Sequence, residues 1–304
     1  MINLKKSMVV FLTILAVLAL ALPGNASAQQ GDGDPYVLAQ MEKVNKQLRA
    51  QGRDIAVEHI EFFTLSGARP SNRVHQQPFR WVANDERRLA DGDNITYLVD
   101  KSDGKTASGL SSAQTEAAID RAMDTWQAES CLSNVDLVKR ADSGADPDIY
   151  DWFYGYGRYG DWLVADIVNA GWLPREYFEA VGGPGGGRGI LAFSVTFIFT
   201  EDDGTPTDIN NDGYLDSALN EVYYNDTFGD RKTDRAGNPW AIDLPLPAID
   251  VETVALHENG HSLELGHFGP PPDAVMNPVY AGIRHEPLDA DHAGMCAVWS
   301  SWPQ

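Results

Sequence analysis

Three histidines and one glutamate fall within the short stretch HENGHSLELGH at 257–267. His257 and His261 are four residues apart, so on a helix both imidazoles face the same side and can bind one ion. His267 has to reach that ion from beyond the helix, which requires a turn near residue 263. Three neutral imidazoles suit Zn²⁺, and three protein ligands leave a fourth position open, as in catalytic zinc sites. Glu258 is placed to act on a water at that position without binding the metal.

A second motif, AVMNPVY at 274–280, follows the histidines closely. HExxHxxxxxH followed by a methionine turn resembles the metzincin zinc peptidases, and within them the matrixins, which include the matrix metalloproteinases. Three further stretches are similar to matrixin sequences: GGPGGGRGILAFS at 182–194, EVYYND at 221–226 and LDADHAGM at 288–295. The resemblance covers residues 81–299 and is poor over 141–181.

The resemblance implies an α+β fold: a twisted, mostly parallel sheet with an active-site helix, a methionine turn and a C-terminal helix. The order of elements agrees, because the strand-like segments mostly precede the metal helix. Strands are expected at 55–65, 94–100, 189–199 and 219–226, and helices at 36–50, 112–129 and 289–299. Asp250 is expected to cap the metal helix. The stretch 141–189 has no clear pattern.

The activity that the resemblance implies is hydrolysis of peptide bonds by a zinc endopeptidase. Zn²⁺ lowers the pKa of a bound water toward about 7 and polarises a carbonyl group. Glu258 would act as general base, taking the proton from this water and delivering it to the leaving amine. Met276 would form the apolar floor beneath the histidines.

The resemblance also assigns a substrate site. An extended peptide would lie along the strand residues Leu191, Ala192 and Phe193, paired through its backbone at the edge of the sheet. Pro278 and Tyr280 would form the wall of the pocket for the side chain that follows the cut bond.

Glu264 departs from the matrixin pattern, which has glycine there because the chain turns back after the helix. A residue with a side chain costs about 1–2 kcal/mol in the left-handed conformation that such turns use. We expect a slightly shifted turn, in which Gly266 takes part, with His267 still bound. The alternative is that Glu264 itself approaches the metal.

Two matrixin features are missing from the sequence. No histidine occurs between residues 76 and 256, where the ligands of a second, structural zinc would lie, and Phe193 and Tyr223 stand near those positions. We therefore expect one catalytic zinc. Residues 29–80 contain no cysteine, so the cysteine that blocks the zinc in many latent matrix metalloproteinases is also missing.

An acidic loop, DINNDGYLD at 208–216, is a candidate structural Ca²⁺ site. Its residues follow the spacing of an EF-hand loop, with the Tyr214 carbonyl and the side chains of Asp208, Asn210, Asp212 and Asp216 as ligands. Position 12 is Leu219 rather than glutamate, and Glu221 is the nearest substitute. A plain acidic turn is the alternative.

The N-terminus predicts export. Lys5 and Lys6 precede an apolar run at 8–22, and a small-residue cleavage motif ends at Ala28. The run is short for a membrane span, which needs about 20 residues. Cys131 and Cys296 are expected to form a disulfide in an oxidising compartment, although two buried thiols remain possible.

The sequence therefore divides into a signal peptide at 1–28, an N-terminal extension or pro-segment at 29–80 and a catalytic domain at 81–304. The net charge of −21 argues against nucleic acid and anionic membranes as partners. We expect a secreted monomer that acts on proteins or peptides. The alternatives are a zinc- and calcium-binding pseudoenzyme and an adhesion module without proteolysis.

Overall fold

The computed structural model describes residues 34–65, 77–89, 92–144, 146–158, 164–230, 232, 234 and 237–303. The predicted signal peptide at 1–28 lies outside these residues. No helix in the described part of the chain is long and apolar enough to cross a membrane.

The strands form one large sheet and one small one. In chain order they are β1 (Ile55–Thr64), β2 (Phe79–Arg80), β3 (Ile95–Val99), β4 (Leu137–Lys139), β5 (Ile167–Leu173), β6 (Ile190–Phe199), β7 (Leu215–Asn225), β8 (Trp240–Ala241) and β9 (Ile249–Asp250). The large sheet has the order β1-β6-β7-β5-β3-β4, with β2 paired to the start of β7. Strands β7, β5, β3 and β4 are parallel, and β6 is antiparallel to both neighbours. The expected mostly parallel sheet is confirmed.

Helices cover both faces of this sheet. They are α1 (Pro35–Ala50), α2 (Ser112–Gln127), α3 (Arg175–Gly182), α4 (Gly186–Gly189), α5 (Val251–Ser262) and α6 (Asp289–Trp299). One buried cluster joins a sheet face to α2, α5 and α6. A second joins the other face to α1 and α3. Because both faces are covered, β6 is buried along its whole length, which explains its unbroken apolar sequence.

The N-terminal extension contributes to the large sheet. Helix α1 buries Val37, Met41, Val44 and Leu48 in the second cluster. Strand β1 then pairs with β6 from Ile55 to Thr64. The edge of β6 that the sequence analysis assigned to substrate is therefore covered by the protein's own chain.

Three indole rings hold helix α5 in place. Trp126 donates to the Leu256 carbonyl at 2.8 Å. Trp81 donates to Ser262 at 2.9 Å, and Trp299 donates to Leu263 at 3.0 Å. The last two carbonyls lie at the end of the helix, where backbone acceptors lack intrahelical partners. The helix end is therefore fixed by side chains from distant parts of the chain.

The C-terminal helix is linked covalently to the segment that follows α2. Cys131 and Cys296 form a disulfide with their Cα atoms 5.0 Å apart. This pairing agrees with the expectation from the sequence. It joins α6, which carries Trp299, to the α2 side of the first cluster.

Replacing Trp299 with phenylalanine should destabilise the fold beyond the loss of apolar area, because it leaves the buried Leu263 carbonyl without its indole donor. We expect an additional cost of about 1–3 kcal/mol in the free energy of unfolding, measured by denaturant titration. Trp172→Phe is the matched control, since the buried Trp172 indole N–H has no hydrogen-bond partner in the part of the chain that the structure describes. Equal costs for the two variants would contradict this role of Trp299.

Candidate metal centre

The three histidines converge on one point. Their Nε2 atoms are 3.1 Å apart for His257 and His261, and 3.2 Å apart for each of the two pairs that include His267. Ligand nitrogens at the corners of a tetrahedron with zinc bonds of about 2.0 Å lie about 3.3 Å apart. The spacing of the three atoms therefore fits a single Zn²⁺, with the fourth corner open.

The other ring nitrogen of each histidine faces an oxygen. Nδ1 of His257 donates to the Val275 carbonyl at 2.7 Å, and Nδ1 of His261 donates to the Leu265 carbonyl at 2.7 Å. Nδ1 of His267 lies 2.9 Å from Oε2 of Glu61, although the angle falls outside hydrogen-bond geometry. Such partners leave Nε2 free to bind a metal.

Burial keeps two of these imidazoles neutral, which is the form that binds a metal. It lowers the pKa of His257 well below its usual value and that of His261 to about 3. Neighbouring histidines of the same cluster lower both values further. All three rings are at most 2% exposed, so the site lies inside the protein.

Helix α5 is fixed against the sheet by polar contacts as well as by the indoles. Asp250 caps its start by accepting the Thr253 backbone N–H at 2.9 Å, as expected. Asn259 and Asn169 on β5 exchange amide hydrogen bonds of 3.1 Å. Ser262 donates to Asn220 on β7 at 2.6 Å. Both ends and the middle of the helix are therefore tied to fixed elements.

A tight turn after α5 brings His267 back to the site. The Glu264 N–H donates to the His261 carbonyl at 2.8 Å, and the Leu265 N–H donates to the Gly260 carbonyl at 3.0 Å. This pair of bonds is the Schellman motif, which needs a left-handed residue at its centre. Glu264 takes that position with φ of +72°. Glu264 itself therefore adopts the strained left-handed conformation, and the expected shift of the turn toward Gly266 is wrong.

The Glu264 carboxylate turns away from the histidines. It accepts hydrogen bonds from the Trp81 backbone N–H and, at 3.3 Å, from the Ser217 hydroxyl, and Arg80 Nε lies 3.8 Å away. Burial raises the pKa of Glu264 to about 7, while Arg80 works in the opposite direction. The alternative in which Glu264 approaches the metal is therefore wrong, because its carboxylate is already bound on the other side of the turn.

Glu258 is fully buried and lies at the closed site. Among the described residues, neither of its carboxylate oxygens finds a hydrogen bond of ordinary geometry. Burial raises its pKa well above the usual value, and the nearby charge of Glu61 raises it further. The Phe63 backbone N–H partly offsets this increase. A buried carboxylate without partners is costly, so this side chain is kept available for another purpose.

The methionine turn lies directly under the metal helix. Gly260 packs so closely on the Met276 thioether that a β-carbon there would overlap the sulfur. Asp291 on α6 accepts the backbone N–H groups of Val275 at 2.7 Å and of Met276 at 3.1 Å. Since Val275 also accepts from His257, Asp291 indirectly positions the first ligand.

Strand β1 crosses the site between two other segments. On one side it pairs antiparallel with β6, so that Phe63 lies opposite Ala192 and Phe62 opposite Phe193. On the other side Thr64 donates to the Pro278 carbonyl at 3.2 Å and accepts from the Tyr280 N–H at 2.8 Å. We call the groove between β6 and 278–280 the cleft. Residues 61–64 fill it.

The Phe63 side chain occupies the pocket predicted for substrate. Its ring stacks on His257 with centroids 3.9 Å apart and meets Tyr280 edge-on at 6.0 Å. The Phe193 side chain points into the opposite cluster, where it packs on Tyr223 and Phe178. Of the predicted substrate residues, Tyr280 contacts the Phe63 ring and Pro278 bonds to Thr64 through its carbonyl, while Phe193 meets the cleft only through its backbone.

Comparison with known protein families shows to which family the chain belongs. The family model described as Matrixin matches residues 88–299, more than half of the chain. The chain belongs to the matrixin family. Membership implies zinc-dependent peptidase activity on protein or peptide substrates. A search of curated proteins finds no significant match.

The acidic loop of this matrixin is only partly arranged as predicted. Asp208 accepts the backbone N–H groups of Asp212 and Gly213, and Asn210 donates to Asp212 at 3.0 Å. The Asp216 carboxylate accepts the Ile209 N–H of the loop at 3.1 Å, but it also accepts hydrogen bonds from Arg87 at 2.8 Å and from the Thr207 hydroxyl at 2.5 Å. Calcium binding at this loop, with the Tyr214 carbonyl, stays a prediction.

Glu221 does not join that loop. It is fully buried on β7, and its carboxylate accepts the backbone N–H groups of Ile149 at 2.6 Å and Tyr150 at 2.9 Å and the Tyr223 hydroxyl at 2.8 Å. The sequence spacing was misleading because Glu221 lies within a strand that leads away from the loop. Its role is to hold the segment that precedes β5.

Several residues that shape the matrixin site had no motif to reveal them. Glu61 and Phe63 reach it from the extension, Asn169 from β5 and Asp291 from α6. The sequence predicts a strand at 55–65. The length and apolar character of this strand were the one signal that it pairs with another strand. Nothing in the sequence indicated that this partner is β6.

The raised pKa of Glu264 predicts a pH-dependent loss of stability. Because folding raises this pKa from 4.5 to about 7, the folded state favours the protonated carboxyl. This stabilisation is present below about pH 4.5 and is lost as the pH rises through 7. Relative to Glu264→Gln, which does not ionise, the free energy of unfolding should fall by about 2–3 kcal/mol between pH 5 and 8.

Urea titrations at several pH values measure this difference, with both chains also carrying Glu258→Ala to prevent self-cleavage. Glu176→Gln, on the exposed first turn of α3, is the control and should show no such trend. A difference between Glu264→Gln and its parent that does not change with pH would contradict the prediction.

Proposed function

We propose that this matrixin is a secreted zinc endopeptidase whose general base is Glu258. The observation that carries the proposal is the convergence of three buried Nε2 atoms, with the buried Glu258 carboxylate directly after the first of these histidines in the chain. A purely structural zinc site would use a fourth protein ligand and would not need that carboxylate.

In this proposal His257, His261 and His267 hold the zinc, which supplies Lewis-acid polarisation of the peptide carbonyl and a more acidic water. Glu258 accepts a proton from the attacking water and passes it to the nitrogen of the leaving amine. Its place at the Phe63 backbone N–H supports this role, because a peptide nitrogen in the cleft then lies beside the carboxylate.

Substrate would bind as an extended strand in the cleft. The outer edge of β6 at Leu191, Ala192 and Phe193 offers backbone pairing on one side, and the Pro278 carbonyl and Tyr280 N–H offer it on the other. The side chain after the cut bond would enter the pocket between His257 and Tyr280, on the apolar floor that includes Met276.

The extension at 29–80 is then best interpreted as a pro-segment that keeps the enzyme latent. Strand β1 forms the same two sets of backbone contacts that a substrate would form, and Phe63 fills the same pocket. The histidines and Glu258 are at most 2% exposed beneath it. Since a buried site cannot admit substrate, activity would require release of β1. The absence of a cysteine from 29–80 fits this mode of blocking.

Export fits the remaining features. The basic start, apolar run and Ala28 motif would direct secretion, and the Cys131–Cys296 disulfide suits an oxidising compartment. We propose that the secreted protein is a monomer with one catalytic zinc.

Glu258→Ala should abolish peptidase activity. We would insert a specific protease site between residues 66 and 76, cut it, separate the N-terminal piece under mild denaturant and assay a quenched-fluorescence peptide library. The cut parent should cleave peptides, and Glu258→Ala should be slower by at least about a hundredfold, with equal zinc content. Glu176→Gln, on the surface, should match the parent.

Zinc binding with no cleavage by the cut parent would favour the pseudoenzyme alternative. Equal cleavage by the parent and the Glu258→Ala variant would show that Glu258 is not the base. An adhesion module would be indifferent to His257→Ala, whereas a zinc peptidase should lose both metal and activity.

Phe63→Ala in the uncut chain should raise activity, because it empties the pocket and weakens the contact of β1 with His257. Phe62→Ala is the matched control. The Phe62 ring packs toward Phe193, so its removal leaves Phe63 in the pocket. We expect the first variant to be at least several-fold more active than the second. If both uncut variants remain as inactive as the parent while the cut parent is active, Phe63 is not what blocks the site.

A further inference from the structure

We infer that Asp100, Asp103, Asp146, Asp148 and Asp151 form a Ca²⁺ site that is separate from the histidines and from the acidic loop at 208–216. This cluster does not depend on the proposed peptidase activity. It lies in the part of the chain where sequence patterns were least informative.

The five carboxylates are brought together by the topology of the sheet. Asp100 and Asp103 follow β3, and Asp146, Asp148 and Asp151 follow its parallel neighbour β4. The Asp103 carbonyl accepts the Trp172 N–H from β5 at 2.8 Å, and the Asp100 N–H donates to the Asn169 carbonyl at 3.0 Å. Both aspartates are therefore fixed by backbone bonds.

The other side of the cluster is equally constrained. Glu221 on β7 accepts the N–H groups of Ile149 and Tyr150, and the Asp151 N–H donates to the Tyr223 hydroxyl at 3.2 Å. The segment 148–151 is thus held by β7, and its aspartate side chains are set before any ion binds.

The ligand oxygens of the cluster fall into two groups of three, and within each group the distances suit one cation. Asp100, Asp146 and Asp148 form one group and Asp103, Asp146 and Asp151 another, and within each group the ligand atoms lie within 4.8 Å of one another. Oxygens bound to one Ca²⁺ at 2.3–2.6 Å lie at most about 5 Å apart. Asp146 belongs to both groups and so connects them.

The independent sign of a ligand is that buried oxygens in the cluster have no partner. Asp148 and Asp151 are 2% and 0% exposed, yet none of their four carboxylate oxygens makes a hydrogen bond of ordinary geometry within the described part of the chain. The Trp152 backbone N–H only partly offsets the raised pKa of Asp151. One buried carboxylate oxygen of Asp146 also makes no hydrogen bond of ordinary geometry to a described residue. A proton shared between Asp146 and Asp148 would satisfy at most a fraction of these acceptors.

Electrostatics point the same way. Burial raises the pKa of Asp148 well above its usual value and that of Asp151 to about 9, and neighbouring carboxylates, Glu221 among them, raise both further. Burial also raises the pKa of Asp146, and the exposed Arg158 offsets this only in part. Buried charges of one sign require a counter-ion or protons. A divalent cation would be that counter-ion.

The donor chemistry selects the kind of cation. All five side chains offer carboxylate oxygen, and no histidine or cysteine belongs to either group. Hard oxygen donors favour Ca²⁺ or Mg²⁺ over zinc. Ca²⁺ accepts six to eight oxygens in irregular arrangements, whereas Mg²⁺ needs a near-ideal octahedron. An irregular set of five aspartates therefore fits Ca²⁺ better.

The test uses the full secreted chain with Glu258→Ala, loaded with zinc and freed of calcium. Isothermal titration with CaCl₂ should show binding, and the melting temperature should rise with Ca²⁺ more than with equal Mg²⁺. Adding Asp148→Asn and Asp151→Asn should weaken binding at least tenfold. Because these changes remove buried repulsion, the doubly changed chain should also melt higher than its parent without calcium.

Asp208→Asn with Asp212→Asn is the matched control, since it removes the same number of charges from the acidic loop. Its calcium binding at the inferred site should equal that of the parent. If the Asp148 and Asp151 changes prevent folding, Asp103→Asn, on a half-buried ligand, should still weaken binding. The inference is overturned if the parent binds no calcium, or if the aspartate changes in the cluster leave the binding unchanged.

Discussion

The whole site depends on holding three imidazoles with their Nε2 atoms just over 3 Å apart inside the protein. Burial keeps His257 and His261 neutral because ionising a ring away from water is costly, and neutrality makes them ligands. Their directions are fixed by carbonyl acceptors on Val275 and Leu265, which are themselves set by Asp291 and by the turn at Glu264. A metal centre of this kind therefore requires a rigid helix α5, and the surrounding indoles and amides provide it.

The turn at Glu264 shows how the fold accommodates a locally unfavourable residue. The left-handed backbone costs free energy for any residue with a side chain, but the buried carboxylate gains the Trp81 N–H, Ser217 and Arg80 as partners. These contacts tie the turn to the chain near β2 and to β7. A substitution that seemed to put the metal site in doubt is thus part of what connects the site to the sheet.

Features that depend on residues close together in the chain could be predicted from the sequence, and those that join distant residues could not. The convergence of the three histidines, Asp250 as helix cap, the bounds of α6 and the strand at β6 could be predicted because each depends on local spacing and periodicity. Strand β5 and helix α3 were missed, since the stretch 141–189 lacks a simple pattern. The pairing of β1 with β6, the link between Glu61 and His267, and the grouping of five aspartates all join residues far apart in the chain, which periodicity cannot reveal. Glu221 was misplaced for the same reason.

The central claim is that β1 takes the place of substrate at the metal centre. The most direct measurement is inhibition of the cut and separated enzyme by a synthetic peptide of residues 55–65, beside the same peptide with Phe63→Ala. The account predicts competitive inhibition by the first peptide, at least tenfold weaker inhibition by the second, and unchanged zinc content with both. It would be contradicted if neither peptide competed with substrate, or if the two peptides inhibited equally well.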